Sequence, residues 1–482
     1  MSQKLRNHFS KLAVGLGLAT LALQVNYAQA NPTQNCQLIT KEQAEYPNFN
    51  QIFQQLINSC VGNGAVVLDG AVFKIEHINL PANTTLTIKG NATLMGVGQG
   101  QIGANVGNGW NSSAQNASER AVITVAGDNV VINGNGYIRG NTATCLPAAV
   151  NANAQTRSAN ATISGNTAIN APLTKEQQKA AEKAAKEQAK AAEKAAKEQA
   201  KAAEQAEKAQ YKVSLPETLT PQNSPSLIRA VGVKNFTLTG VALGDFAGNA
   251  LYLAQAQNVK LSQIAVRQLG VPQAQGLVFN GVQNLQLDTA YVAATGANLV
   301  LMAQSQPTTE VKLNKVYTYG GNGLVIGYDL TQGISKVQVN ELVAQGSAVG
   351  IAIATNAQLG GKISDLSFAK VYVDNVATPL YIAANHKPAY RNAGANIPSF
   401  SNINVSDFYS LGGGQVELSG YDTQHKVSVN FKNVRISKVA EWKVYNADIK
   451  NLGNSTTGSF SSASIDEVKA VIYPQLKPFP LK

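Results

Sequence analysis

The residues able to do chemistry are sparse, and their types limit what that chemistry can be. Five carboxylates in the middle of the chain are candidate acids: Asp288, Asp329, Glu341, Asp365 and Asp374. Two acids facing each other across a cleft could protonate a leaving oxygen and activate a water, which is what cleavage of a glycosidic bond requires. No spacing among the five singles out such a pair. Asp288 and Asp365 lie in or beside short apolar-x-apolar runs, so turns or outward positions suit them, and Glu341 has an outward phase. Asp329, after Gly327-Tyr328, is the best single candidate for an acid. His386, with Tyr390 near it, reads as a surface or satisfied histidine. The three cysteines Cys36, Cys60 and Cys145 show no metal-ligand spacing, so no metal or cofactor is expected.

The elements that must position these groups are set by a repeat. The apolar-x-apolar pattern, often after Asn, recurs at Val130/Ile132, Phe236/Leu238, Val259/Leu261, Leu285/Leu287, Val311/Leu313, Val337/Val339, Leu366/Phe368 and Ile403/Val405. From Phe236 onward the steps are 23, 26, 26, 26, 29 and 37 residues. A period in the twenties signals a solenoid, in which each coil buries its inward side chains only by stacking on its neighbours. Short β-branched strands with Gly, Asn or Asp turns, and no second helix per repeat, predict an all-β, right-handed parallel β-helix. Ahead of the coils, Phe49, Ile52, Phe53, Leu56 and Ile57 have helical spacing with one apolar face. A capping helix there would cover the strand edges of the first coil. Three cysteine pairings are possible; Cys36 with Cys60 is expected, because both flank that helix.

Residues 1–30 read as a secretory signal. Lys4, Arg6 and Lys11 precede an apolar run from Leu12 to Leu23, and Ala28-Gln29-Ala30 offers a small-x-small cleavage site. An uncleaved anchor is the alternative. The mature chain, expected to be periplasmic or extracellular, has no segment apolar enough to span a bilayer. The formal charge is +11 and falls to +8 when the three signal cations leave. A basic balance favours acidic polymers, but no aromatic-basic recognition motif points to nucleic acid.

Residues 31–140 form the cap and first coils, 141–222 a linker with a helical insertion, and 223–482 the main coils with a C-terminal cap. Within the insertion, Ala180–Lys190 repeats identically as Ala191–Lys201, and Thr174 to about Gln210 is rich in helix formers. Its apolar face is alanine alone, so a solvated single helix held by Glu-Lys pairs is expected. A spacer, or an arm contacting a protein or envelope partner, is the alternative.

Gly-Asn-Gly-Tyr-Ile-Arg-Gly (134–140), Ser-Pro-Ser-Leu-Ile-Arg (224–229) and Asn-Phe-Thr-Leu-Thr-Gly-Val-Ala-Leu (235–243) resemble the opening coils of polygalacturonases, glycoside hydrolase family 28. The resemblance runs from the cap to about Asn385, apart from the insertion. It implies a pectin lyase-like β-helix and inverting cleavage of galacturonans by Asn-Thr-Asp, Asp-Asp, Gly-His-Gly and Arg-Ile-Lys motifs. Those motifs fall here on Gln273-Ala274-Gln275, Gly296-Ala297, Gly321-Asn322-Gly323 and Ala352-Ile353-Ala354. A further family signature corresponds to Pro379 through His386, with His386 in place of a tyrosine. The glycines that shape the coil remain: Gly276, Gly321, Gly323, Gly327 and Gly350. The acids, the histidine and the basic clamps are gone. Gln275 can exchange hydrogen bonds but cannot deliver a proton. The expectation is a pseudoenzyme whose groove, lined by Gln275, Asn298, Asn322, Tyr381 and His386, binds a neutral or weakly charged polysaccharide, or which serves as a surface structure. An active glycoside hydrolase using relocated acids such as Asp329 is the alternative.

Overall fold

The structure, a computed structural model, describes residues 35–97, 121–141, 225–386, 396–411, 414–437, 441–451, 465–472 and 475, and not the side chain of Asp329. The predicted signal, Cys145, Tyr390 and the predicted helix from Thr174 to Gln210 lie outside these residues.

Every strand pairing is parallel, and the strands form one sheet of seventeen and one of eleven among the described residues. The repeat read from the sequence is the rung spacing. Leu238, Leu261, Leu287, Leu313, Val339, Phe368 and Val405 are successive partners across the wide sheet, and all are buried. Ile132 pairs directly with Leu238, so the chain leaves after one rung and returns at the next. In the narrow sheet the inward stack is Leu251, Leu277, Leu299, Leu324, Ile351 and Leu380. The two stacks meet in one continuous apolar core.

Asparagine fixes one corner of the coil. Asn83, Asn129, Asn235, Asn258 and Asn284 all have φ between 55° and 60°, a left-handed conformation that short polar side chains tolerate best after glycine. Each after Asn83 donates its side-chain amide N–H to the side-chain oxygen of the asparagine one rung before, at 2.8–3.1 Å. Asn258 both donates to Asn235 and accepts from Asn284. Asn258→Ala should therefore lose left-handed preference (about 1–2 kcal/mol) and two exposed hydrogen bonds (about 0.5–1 kcal/mol each). Asn258→Gly should recover the backbone part. Urea denaturation of both checks this, and identical losses would assign the whole effect to the ladder.

The N-terminal end is closed as the apolar spacing predicts. Helix α1 (Lys41–Ala44) is a single turn, and helix α2 (Phe49–Ser59) buries Phe49, Phe53 and Ile57. Phe49 rests on Phe73 of the first coil, ring centroids 5.8 Å apart. Polar residues of α2 satisfy backbone at the open edge: Gln54 exchanges two bonds with the main chain of Asn79, and Asn50 accepts from Glu76 N–H. The sequence did not reveal the strand Asn35–Ile39, which precedes the helix and pairs with Ala65–Leu68. A disulfide joins Cys36 in that strand to Cys60 just after α2. At the other end, helix α3 (Ile465–Ile472) packs Ile472 against Val343, Tyr372 and Leu411 on the outside of the wide sheet. Among the described residues no helix is long and apolar enough to cross a membrane.

Candidate functional site

The narrow sheet brings Gln275, Ala297 and Asn322 together on its outer face. Ala297 pairs with Asn322, and Asn322 with Val349. Continuing the register of Leu277 with Leu299 sets Gln275 beside Ala297. A second outward column runs Tyr252, Val278, Val300, Val325, Ala352, Tyr381 and Glu417. Ala297, Val349, Val278, Val300, Met302, Val325, Ala352 and Ala354 form one apolar cluster, separate from the core inside the coil. Each is at most 1% exposed. This part of the outer face is an apolar stripe.

Polar and aromatic groups border it. Gln275 and Asn322 are buried, and the Oδ1 of Asn322 is shut off from water without a hydrogen bond. Tyr381 Oη lies 3.2 Å from His386 Nδ1, and the Tyr328 ring lies 4.6 Å from the His386 ring. The Tyr328 hydroxyl is buried and unbonded. Sequence reasoning had passed over Tyr328. A register shift between Leu301 and Ala303 marks a bulge opposite it, and Gly327 and Tyr328 both have positive φ, 104° and 65°. Bulges of this kind re-aim a side chain; here a tyrosine joins the outer cluster beside the histidine.

Asn298 is a correction to the expected groove lining. It is fully buried. Its Oδ1 accepts from Ala294 N–H, and its Nδ2 donates to the carbonyls of Gly320 and Asn322. The amide braces two turns and has no donor left for a ligand.

The candidate acids scatter. Asp288 accepts from Asn314 and Asp365 from Asn402, and Asp374 accepts from Gln345 at 2.9 Å. Glu341 occupies a left-handed corner of the wide sheet. All four belong to the wide sheet, away from the apolar stripe. The Asn402 hydrogen bond, then that of Ser364, holds the Asp365 carboxyl below its ordinary range. Asp329 lies in the strand Asn322–Leu330 of the narrow sheet, and its side chain is outside the described residues. The sequence reading missed Glu417, which neighbours Tyr381 on the outer face. It stands three rungs from Asn322, about 14 Å at the spacing of paired strands. The carboxyls of an inverting glycosidase are roughly 6.5–9.5 Å apart, so Glu417 cannot pair with a group at position 322. No cluster of His, Cys, Asp or Glu among the described residues could hold a metal ion.

Burial also sets how the aromatic groups titrate. It pushes the Tyr328 and Tyr381 phenols well above their ordinary range, Glu417 adding to the effect at Tyr381. In the wide sheet, burial and then the neighbouring Tyr291 push Tyr317 up to about 12. A phenol whose folded value is raised contributes stability that is complete below its unfolded value, about 10. That contribution is lost as pH rises through the folded value. Alkaline unfolding beginning above about pH 10, with late-ionising tyrosines released in the same transition, is the expected result of a phenolate absorbance titration.

The family pattern described as glycosyl hydrolases family 28 matches residues 206–463, just over half of the chain. An endo-polygalacturonase of Pectobacterium carotovorum subsp. carotovorum is 24% identical over 238 residues, 48% of this chain and 57% of that protein. A polygalacturonase of Ralstonia solanacearum is 29% identical over 134 residues, 27% of this chain and 25% of its own. The chain thus spans from a quarter to somewhat over half the length of these curated relatives. Among solved structures, the polygalacturonase from Erwinia carotovora ssp. carotovora superposes with a TM-score of 0.61 at 21% identity, covering 86% of this chain and 96% of that one. The hyperthermoactive exopolygalacturonase from Thermotoga maritima does so with a TM-score of 0.59 at 15% identity, covering 87% and 93%. These two likenesses show the fold, and the sequence pattern carries the kinship. The chain belongs to glycosyl hydrolases family 28.

Proposed function

We propose that this protein is an exported, non-hydrolytic member of the family that holds a polysaccharide without cleaving it. The observation that carries the reading is the content of the two outward columns. Gln275, Ala297, Asn322, Ala352 and Ala354 stand where the family's acids, histidine and basic clamps would stand. An amide can hydrogen-bond a sugar hydroxyl but cannot cycle a proton at neutral pH, and alanine offers nothing to a substrate carboxylate. Tyr381 and His386, both half-buried, supply ring faces and polar tips suited to a neutral or weakly charged sugar.

The test is incubation of the purified protein with a panel of pectic and neutral polysaccharides. New reducing ends and unsaturated products are followed, with binding measured in parallel by affinity electrophoresis. Retardation by at least one polysaccharide without new ends is the expected result. New ends that disappear in Asp329→Asn or Glu417→Gln would replace this reading with an active hydrolase using relocated acids. Neither binding nor turnover would leave a surface structural role.

A further inference from the structure

A second site lies on the wide sheet, away from the apolar stripe. Arg139, Gly244 and Arg267 are partners on three successive rungs, with the inward residues Ile138, Leu243 and Val266 beside them in the core. All three therefore face outward. Paired strands are about 4.8 Å apart, so the two arginines are rooted roughly 10 Å from each other with a glycine between them. Gly244 leaves a notch there, since a Cβ at this position would come within 3.4 Å of the Tyr137 ring. The result is a cavity of about 460 Å³ lined by Tyr137, Arg139, Gly244, Asp245, Arg267 and Leu269, among others. Its far wall is held in place by Gln268, which is buried, donates to the carbonyl of Phe246 and accepts from Gly270 N–H.

The charges in the notch do not cancel. Arg139 pairs with Asp245 at 2.8 Å, yet its Nε is shut off from water and makes no hydrogen bond. Arg267 is exposed and has no carboxylate partner among the described residues. One cation is thus left unbalanced, on a planar fork that suits carboxylate or sulfate. Leu269, 41% exposed, gives the mouth an apolar side. Two rungs beyond Arg267 in the same column, past Ala293, stands Tyr319, also 41% exposed. Arginine, arginine and tyrosine thus recur at two-rung intervals, with small residues between them, a track for an extended chain carrying anionic groups and apolar ring faces.

We propose that this track binds an acidic polysaccharide, with Arg267 taking a carboxylate or sulfate and with Tyr319 and Leu269 contacting sugar rings. None of its lining residues belongs to the apolar cluster on the narrow sheet. The experiment is calorimetric titration of the full chain with a hexamer of 1,4-linked uronic acid, with its methyl ester, with a sulfated hexamer and with inorganic sulfate. The acidic hexamers should bind with salt-sensitive affinity, the two of them separating carboxylate from sulfate as the preferred group. The ester and inorganic sulfate should bind far more weakly. Arg267→Ala should weaken binding on the order of tenfold or more, the loss of charge-assisted hydrogen bonds, and Arg267→Lys should fall between. Lys312→Ala, at an exposed lysine in another column of the same sheet, should bind as the parent does. The proposal is overturned by equal binding of the ester, by inorganic sulfate matching the hexamers, or by unchanged affinity in Arg267→Ala.

Discussion

Gly296→Asp, which puts an acid where the resemblance to polygalacturonases expects one, is expected to destabilise the coil and not to create a catalyst. A Cβ on Gly296 would sit 2.8 Å from the carbonyl oxygens of both Gln273 and Ala274. Those oxygens belong to backbone and cannot swing aside. Gly296 N–H donates to Ala274 O at 2.8 Å, and Gly296 O accepts from Asn322 N–H at 2.7 Å, so the residue is tied to the rung on each side. Relieving the overlap shifts at least one of these ties. Forced overpacking costs about 1–3 kcal/mol, and a lost backbone hydrogen bond adds about 1 kcal/mol. The carboxylate itself would meet two carbonyl oxygens, which repel it. A midpoint of urea unfolding well below the parent's is the expected measurement. Gly296→Ala separates the terms, since it carries the steric part without the charge. If Gly296→Asp unfolds with the parent's midpoint, the corner is looser than its geometry states and the acid could be accommodated.

The same corner explains what could and could not be read from sequence. The rung period was legible because apolar-x-apolar pairs and the asparagine ladder repeat with the stacking itself; the steps counted from Phe236 reappear as strand partners. The outer-face register was legible because Gly276, Gly323 and Gly350 mark it. Each has backbone within 2.6 Å of where a Cβ would be, so only glycine fits. The direction of Asn298 was not legible. A Cβ on its neighbour Gly276 would run into the core side chain of Val292, so at this corner two successive residues face inward and the alternation of a strand fails. Asn298 follows Gly276 inward and braces turns. Tyr328 was hidden by the bulge at Gly327, where counting by twos also fails. Glu417 escaped because it lies beyond the longest step, 37 residues, where the repeat gives no register. In each miss the side-chain type was plain and the local backbone decided where it pointed.

Ala297→Asp tests the chemistry of the stripe at a residue that, unlike Gly296, already carries a Cβ. Ala297 is fully buried and packs with Val278, Val300 and Val349, and Ala352 and Ala354 of the same cluster offer no cation. An unpaired carboxylate in such a setting loses its hydration, at an effective cost of several kcal/mol, so the group should stay protonated and its folded pKa should rise. A group raised in this way has its full stability below its unfolded value, about 3.9 for Asp. The contribution is lost as pH climbs through the raised value. Ala297→Asp should therefore approach Ala297→Asn in stability at pH 4 and fall below it by several kcal/mol at pH 7, while the asparagine variant shows no such slope. Urea midpoints of both variants at the two pH values measure the difference directly. Matching midpoints at pH 7 would mean that the face is hydrated enough to hold a charge, and the apolar reading would fall. A slope of the expected sign ties stability to chemistry: a carboxyl kept neutral by its surroundings cannot activate water, so an acid placed at this single position would not serve as a general base.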